Sequence, residues 1–205
     1  MGALGPPHRI ETFRERFKYA DPLSGIPPFH FGSHYSCPGS TLQYLIRLFP
    51  YTEGAKALQG GHFDIADRLF YSIPGAYRLA TEDISDVREM IPEFYFLPEI
   101  LLNQDNLDFG TTQLGIKVDG VDLPPWANNA YDFVFYMRKA LEHDFVSANI
   151  HHWIDLIFGY KQKGEEAEIN LNTFYYMTYE DSVDLDKIED EGMRISAEAQ
   201  VVNFG

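Results

Sequence analysis

One stretch of the sequence, residues 145–164, carries the clearest helical signal in the chain and constrains its fold most. It reads FVSANIHHWIDLIFGYKQKG. Four large apolar residues recur at the spacing of one helix face, and these are Ile150, Trp153, Ile154 and Ile157. We expect this helix to lie in the core, with Ser147 as its N-cap and Gly159 ending it in a left-handed conformation.

The charge balance of the chain narrows the classes of partner. The 205 residues include 31 acidic and 16 basic side chains, which gives a formal net charge of −15. Such a charge disfavours a dominant contact with nucleic-acid phosphates or with an anionic bilayer. The single cysteine, Cys37, excludes an internal disulfide and fits a reducing compartment. No apolar run approaches the roughly 20 residues of a membrane helix, so we expect a cytoplasmic protein.

Apolar spacing and capping residues predict several further short helices. They are expected at residues 6–19, 40–48, 64–73, 85–90, 130–142, 165–171 and 191–203. In the first of these, a surface helix, the apolar side is expected to carry Ile10, Phe13 and Phe17, and the basic face elsewhere is expected to carry Arg9, Arg14, Arg16 and Lys18. The chain therefore reads as mainly α.

Two other kinds of segment interrupt the helical pattern. Residues 94–97, Phe-Tyr-Phe-Leu, form an apolar run between Pro92 and Pro98. Because proline is excluded from central strands, we expect buried irregular backbone there. Residues 113–123 alternate apolar and polar side chains around Asp119 and Gly120, a pattern that predicts one small β-hairpin.

Histidine and aspartate are concentrated near the main helix and suggest a metal site. The candidate ligands are His143, Asp144, His151, His152 and Asp155. The i,i+4 spacing of His151 and Asp155 would let two side chains share one ion. A metal-dependent hydrolase is therefore one hypothesis, although the sequence contains no HExxH motif or spaced cysteine pair. The other interpretation is that these imidazoles make structural hydrogen bonds.

Cys37 is the candidate nucleophile, with His30 or His34 as its base. The sequence shows no third group that would orient the base, and it lacks the Gly-x-Ser-x-Gly elbow and the phosphate-binding glycine patterns. We therefore expect Cys37 to be a small buried apolar residue. Read without reference to known families, the residues specify no reaction.

Seven blocks of the sequence occur in the order typical of one known family. They are MGALG, PFHFGSHYS, LQGGHFDIADRLFYSI, DVREMIPEFYFLPE, LPPWA, ALEHDFVSANIHHWIDLIFGYKQKG and TFYYMTYEDSVDL. In wording and order the chain resembles the BEACH domain family over nearly its whole length. Asp181 stands where the family usually has glycine, and Phe31, Asn172 and Thr173 are milder departures.

The resemblance implies a fold and a domain organisation. The expected fold is a single BEACH-type domain of short helices packed around extended irregular segments. Residues 1–205 would be the larger C-terminal part of that domain, with its N-terminal portion missing. The resemblance implies that the chain is part of a very large cytosolic protein in which a PH-like domain precedes the BEACH domain and WD40 repeats follow it.

The resemblance also implies a function without catalysis, cofactor or metal. The expected role is a scaffold in vesicle trafficking, lysosome-related organelle or autophagy pathways, which docks a PH-like domain and recruits trafficking or autophagy proteins. Peripheral association with endosomal, lysosomal or autophagic membranes would come through the full-length protein. Eight residues of the family blocks are expected to act in packing or internal pairing: His34, Tyr35, Asp64, Arg68, Trp126, Trp153, Asp155 and Lys161.

Overall fold

A computed structural model of the chain describes residues 5–179 and 182–204. The protein is mainly α, as predicted. The α-helices in this part are α1 (Pro7–Lys18), α2 (Pro38–Tyr44), α3 (Tyr51–Leu58), α4 (Ile73–Glu82), α5 (Ala130–Leu141), α6 (Asp144–Ile157), α7 (Gly164–Ile169) and α8 (Glu191–Phe204). Asp181, the departure from the family pattern, lies outside the described residues. None of the helices described is both long and apolar enough to span a bilayer.

The chain forms two compact units. Unit 1 comprises Met1–Pro38, Ala80–Glu89 and Ala148–Gly205, and unit 2 comprises Gly39–Leu79 and Met90–Ser147. The interpretation of residues 1–205 as one partial domain stays a prediction.

The core of unit 1 is built around two extended segments. Phe31 and Phe174 form an isolated parallel bridge, and both side chains are buried. Phe13 from α1 packs edge-on against Phe31, with ring centroids 4.7 Å apart. Tyr35 and Val87 complete this buried cluster. Extended backbone thus lies in the interior among helices, as expected from the aromatic strings of the sequence.

Unit 2 has its largest buried cluster around α5 and the proline-bounded segment. Residues 92–101 form two 3₁₀ turns, Pro92–Tyr95 and Pro98–Leu101, and both pack against α5. Phe94 is buried at 3% exposure, whereas Phe96 is 55% exposed. The expectation of buried, irregular backbone is therefore right for Phe94 and wrong for Phe96.

The main helix exists, but it is not a core helix. It begins at Asp144, three residues before the expected N-cap Ser147, and the imidazole Nδ1 of His143 accepts a hydrogen bond from the Phe145 amide. Ile150 and Ile154, on its apolar face, are 43% and 42% exposed. The periodicity identified the apolar face correctly, but it carries no information on whether another segment covers that face.

Gly159 ends α6 for a different reason from the one expected. Gly164, a few residues later, has a left-handed φ of 70°, whereas the φ angle of Gly159 is not left-handed. A Cβ atom at Gly159 would lie 2.7 Å from the Cα of Asp155. Glycine is therefore required here by a close backbone approach.

Two predicted helices are wrong. In place of a helix over 64–73 there is a short 3₁₀ turn, Ala66–Arg68, and α4 starts at Ile73, with Pro74 in its first turn, where proline loses no hydrogen bond. Residues 85–90 are not helical either. In this region Arg9 donates hydrogen bonds to the main-chain carbonyl oxygens of Asp83 and Asp86.

The first helix is confirmed, but the placement of Arg9 on its surface is wrong. Arg9 is completely buried. Burial lowers the pKa of its guanidinium, while Asp86 and Asp83 oppose that effect. The interaction partners lie more than 70 positions away in the sequence, at residues 83 and 86, so local spacing could not reveal them.

The predicted turn at Asp119 and Gly120 is also wrong. The antiparallel bridge in this region pairs Thr111 with Lys117, and the turn falls at Gly115, which has φ 82°. The carbonyls of Asp119 and Gly120 instead accept hydrogen bonds from the buried side chain of Arg47. A long-range contact thus overrides the local turn signal.

Candidate functional site

Two of the family-motif residues lie in the aromatic cluster of unit 1. The His34 ring stacks on Phe174, with centroids 3.9 Å apart, and Tyr35 packs edge-on against the same ring at 5.2 Å. Tyr35 is 5% exposed. Burial lowers the pKa of His34 and raises the pKa of the Tyr35 phenol. Both side chains are therefore held in their neutral forms within packed surroundings.

Asn172 joins this cluster to the end of α6. Its Oδ1 accepts a hydrogen bond of 2.9 Å from the Tyr35 hydroxyl, and its Nδ2 donates to the carbonyls of Leu156 and Lys161, both at 2.8 Å. The side chain is 2% exposed. Sequence reasoning treated Asn172 only as a mild departure from the family pattern, because nothing in its local spacing indicates contacts to residues 35, 156 and 161.

His30 is a second buried imidazole in unit 1, adjacent to this cluster. Its Nδ1 lies 2.7 Å from the Thr173 hydroxyl, and its ring stacks on Phe17 at 4.6 Å. Burial, followed by the nearby positive charge of Arg16, lowers the pKa of His30 to about 4. The imidazole is thus neutral at pH 7 in the folded protein.

This shift predicts how stability depends on pH. The pKa of His30 is about 4 in the fold and 6.5 in the unfolded chain, so the unfolded chain takes up a proton first as the pH falls. The neutral imidazole of His30 makes its full contribution to stability above pH 6.5, and this contribution is lost as the pH falls to about 4. The free energy of unfolding changes by at most about 1.4 kcal/mol per pH unit for one proton. Denaturant titrations at several values between pH 7.5 and 4.5 will measure it.

The matched variants for this pH prediction are His30→Gln and His8→Gln. The first removes the buried imidazole and is expected to flatten the slope, although His34 contributes in the same direction. The second replaces an exposed imidazole on α1 and is expected to leave the slope unchanged. Equal slopes for the wild-type protein and His30→Gln would contradict the prediction.

Three more family-motif residues surround the end of α6 in unit 1. The indole Nε1 of Trp153 donates a 2.7 Å hydrogen bond to the carboxylate of Glu89. The Asp155 carbonyl accepts from the Lys161 amide at 3.0 Å, and the Lys161 ammonium lies 5.4 Å from the Tyr160 ring centroid. Each contact is internal to the unit, and Glu89 is a partner that sequence reasoning missed. The expectation of packing or internal pairing for these residues stays a prediction of their role.

The proposed metal ligands are not assembled by the fold. His143, Asp144, His151 and His152 are exposed, and the rings of His151 and His152 contact each other at 4.0 Å. Eight residues of α-helix separate His143 from His151 by about 12 Å along the axis. Within residues 5–179 and 182–204, no group of three His, Cys, Asp or Glu side chains is placed to hold a metal ion. The hydrolase alternative therefore gains no support from the geometry.

Cys37, the candidate nucleophile, is 5% exposed. This burial agrees with the interpretation of a small apolar residue. His30 bonds to Thr173 and His34 stacks on Phe174, so the described contacts of both proposed bases are structural ones.

Asp64 and Arg68 lie in unit 2 beside an open cleft. The cleft has a volume of about 570 Å³ and is lined by residues 62–67 and 108–113. An oxygen of Asp64 lies 3.7 Å from an Arg68 nitrogen, and the Arg68 side chain is 71% exposed. An exposed pair of this length contributes little to stability.

Arg47 holds together the loops of unit 2. Its side chain is 1% exposed and donates to the carbonyls of Phe70 at 2.6 Å and of Asp119 at 2.8 and 3.0 Å. The guanidinium also lies over the Phe109 ring, 4.8 Å from its centroid. Burial lowers the pKa of Arg47 to about 10, with Asp119 opposing the effect. Arg47 therefore remains charged at pH 7 and is satisfied by main-chain oxygens.

Trp126 is an aromatic family-motif residue of unit 2. It is 49% exposed, yet its ring stacks on buried Phe133 with centroids 5.4 Å apart. The Tyr136 ring meets it edge-on at 5.9 Å. One part of the indole is thus anchored in the core while another part faces solvent.

Each unit is mainly helical, and each has a core that includes aromatic side chains from short non-α-helical segments, together with buried polar side chains that bind main-chain carbonyls. Comparison with known proteins assigns the family. The Beige/BEACH domain model matches residues 1–205. The chain belongs to the BEACH domain family, as the sequence predicted.

Several large proteins contain similar segments. The chain is 50% identical over 202 residues to Protein SPIRRIG of Arabidopsis thaliana, covering 97% of this chain and 6% of that protein. It is 47% identical over 206 residues to BEACH domain-containing protein lvsD of Dictyostelium discoideum, covering 100% of this chain and 7% of that protein. It is 48% identical over 208 residues to BEACH domain-containing protein B of Arabidopsis thaliana, covering 100% of this chain and 8% of that protein. The chain therefore spans less than a tenth of the length of these relatives.

Proposed function

We propose that this chain is a non-enzymatic interaction module of a large BEACH protein. In this role it docks a PH-like domain of the same full-length chain and recruits partners in vesicle trafficking, lysosome-related organelle or autophagy pathways. WD40 repeats in the same full-length chain form part of the proposed architecture. The site of action is the cytoplasm, with peripheral association with endosomal, lysosomal or autophagic membranes through the full-length protein.

One observation carries the docking part of this proposal: the apolar face of α6 is exposed. Ile150, Trp153 and Ile154 are 43%, 36% and 42% exposed, and Phe158, just after the helix, is 75% exposed. Contiguous exposed apolar surface of this kind is typical of an interaction site. Because each matched relative is more than ten times as long as the aligned segment, ample polypeptide is available to cover such a face. The choice of a PH-like domain, and the absence of catalysis, rest on the resemblance to the family.

Titration with the PH-like segment of the same full-length reading frame tests the proposal. We expect saturable binding by calorimetry. Ile154→Asp places a charge on the exposed apolar face of α6 and is expected to weaken binding about tenfold or more, as at an interface hot spot. The matched control is Ile169→Asp on α7, a residue that is 63% exposed.

Each outcome of that titration has a defined meaning. Failure of the wild-type protein to bind the PH-like segment would overturn the docking function. Binding that Ile154→Asp and Ile169→Asp leave equally strong would assign docking to a surface other than the α6 face. A selective loss with Ile154→Asp supports both the function and the surface.

A further inference from the structure

Unit 2 displays a group of aromatic side chains that none of the contacts described so far explains. Trp126, Phe135 and Tyr136 are 49%, 60% and 44% exposed. We call these three side chains the Trp126 platform. Large apolar side chains that adjoin one another on the surface are typical of interaction sites.

The rings of the Trp126 platform are held in a fixed arrangement. Trp126 stacks on Phe133, which is buried at 2% exposure, with an interplanar angle of 16°. Tyr136 stands at 86° to Trp126, and Phe135 stands at 72° to Tyr136 with centroids 5.4 Å apart. The exposed fractions show that part of each of the three rings remains open to a ligand. Because Phe133 anchors the indole, the Trp126 side chain would lose little conformational freedom when a ligand binds.

The platform also offers a hydrogen-bond donor. Among the residues that the structure describes, the indole Nε1 of Trp126 has no protein partner, in contrast with the Trp153 indole, which donates to Glu89. An indole nitrogen is a donor only. A ligand that stacks on this ring and presents a carbonyl oxygen would satisfy it.

Two cations adjoin the platform along α5. Lys139 follows Phe135 by four residues and Tyr136 by three, and Arg138 follows Phe135 by three, so all lie on neighbouring turns of one helix side. Both cationic side chains are exposed, and in the described part of the chain neither forms an ion pair. Glu142 lies one further turn along. Asp132 lies one turn before Phe135 and Tyr136, so the carboxylates of a partner can bind only at the end of the platform that carries Arg138 and Lys139.

We propose that the Trp126 platform binds an extended, proline-containing peptide segment of a partner protein, with acidic residues that reach Arg138 and Lys139. A polyproline II segment has no internal hydrogen bonds, presents its carbonyls to solvent, and is already extended before binding. Proline rings pack on the exposed aromatic side chains, and the indole Nε1 donates to a peptide carbonyl. The carboxylates bind the two cations at the end of the platform.

The platform residues belong to unit 2, whereas the α6 face to which docking of the PH-like domain was assigned belongs to unit 1, and the proposal does not rest on that function. An anionic bilayer is the less suitable occupant, because the net charge of −15 repels a whole charged surface more than it repels a few carboxylates placed at Arg138 and Lys139. A second copy of the chain would bring the same two cations and the same net charge to the interface. The peptide is the occupant that uses the rings, the free donor and the cations together.

The test is fluorescence anisotropy with synthetic peptide probes. The positive probe is a labelled twelve-residue peptide made of Pro-Pro-Glu repeats, about four polyproline turns long. Its matched probes are Ala-Ala-Glu repeats, which remove the proline, and Pro-Pro-Lys repeats, which reverse the charge. We expect saturable binding of the Pro-Pro-Glu probe, and binding at least about tenfold weaker for each of the other two.

Five variants, three at the proposed surface and two controls, locate the binding surface. Tyr136→Ala and Lys139→Glu are each expected to weaken binding of the Pro-Pro-Glu probe about fivefold or more, because both alter exposed side chains of the proposed surface. Tyr51→Ala and Lys117→Glu are the matched controls, since they replace exposed residues elsewhere in unit 2. Trp126→Phe removes the indole donor while keeping a ring on Phe133, and it is expected to weaken binding without unfolding the protein. Circular dichroism verifies that each variant is folded.

Other outcomes overturn the proposal. These are no binding of the Pro-Pro-Glu probe, equal binding of the Ala-Ala-Glu or Pro-Pro-Lys probe, and equal losses in the control variants. Preferential binding to vesicles of phosphatidylserine and phosphatidylcholine would assign the platform to a membrane surface. Concentration-dependent dimerisation that Tyr136→Ala abolishes would assign it to a second copy. A result with these peptides is independent of the titration with the PH-like segment, so either proposal can fail alone.

Discussion

Replacing Arg47 with alanine is expected to lower the free energy of unfolding by about 3 to 5 kcal/mol, because the carbonyls of Phe70, Asp119 and Gly120 would lose their donor. A buried polar group left without a partner costs about 1 to 3 kcal/mol. The guanidinium is 1% exposed, so water has little access to replace it. Truncation would also leave a cavity beside Phe109, which adds to the loss.

Denaturant unfolding followed by tryptophan fluorescence will measure this effect. The chain has two tryptophans, Trp126 in unit 2 and Trp153 in unit 1, so a Trp153→Phe background reports on the unit that contains Arg47. Arg68→Ala in the same background is the matched control. Its side chain is 71% exposed, and we expect a change within about 0.5 kcal/mol.

Arg47→Met separates the hydrogen bonds from the volume of the side chain. Methionine refills part of the space but donates nothing, so it is expected to recover only the part of the loss that comes from the cavity. If Arg47→Ala were as stable as Arg68→Ala, the hydrogen bonds of Arg47 would not hold the loops of unit 2.

Replacing Asn172 with alanine is expected to cost about 3 kcal/mol. The change removes one bond from the Tyr35 hydroxyl and two bonds to the carbonyls of Leu156 and Lys161, all inside unit 1. A typical hydrogen bond contributes about 1 kcal/mol, and more is lost when its partners stay buried. Unfolding in a Trp126→Phe background, where Trp153 is the reporter, will measure the change.

Asn170→Ala provides a control two residues away. The Asn170 amide bonds to Glu166 one turn earlier in the same surface region, so its removal is expected to cost less than about 1 kcal/mol. Tyr35→Phe removes only the hydroxyl of the Tyr35–Asn172 pair. A double-mutant cycle of Tyr35→Phe and Asn172→Ala is expected to give a coupling of about 1 kcal/mol, and additive losses would contradict a direct bond.

Much of the helical framework was predictable because it depends on local information. Helices α1, α5, α7 and α8 lie within a few residues of the predicted ranges, since apolar spacing and nearby capping residues determine them.

Several of the errors have a physical cause in contacts between residues distant in the sequence. Arg9 and Arg47 are buried because they bind carbonyls more than 20 positions away, and their position in the sequence resembles that of surface residues. Asp119 and Gly120 have the composition of a hairpin turn, yet their carbonyl oxygens accept hydrogen bonds from Arg47. The apolar face of α6 was recognised, but what covers such a face is set by other parts of the polypeptide.

The candidate sites show the same limit. His34, Tyr35 and Trp153 were singled out from the family blocks, whereas their partners Asn172 and Glu89 were not. Trp126 stacks on Phe133, and its expected role in packing stays a prediction. Its half-exposed indole, the feature that suggests a ligand, depends on the fold around it.

The missing side chain of Gly159 has a consequence for sequence variation at the end of α6. An added Cβ would meet the Cα of Asp155 at 2.7 Å and its carbonyl oxygen at 3.2 Å, which are both main-chain atoms. No rotamer of a neighbouring residue relieves a collision with the backbone. Missense changes at this codon therefore incur a common steric penalty that begins at the first carbon, whatever the size, charge or polarity of the incoming amino acid.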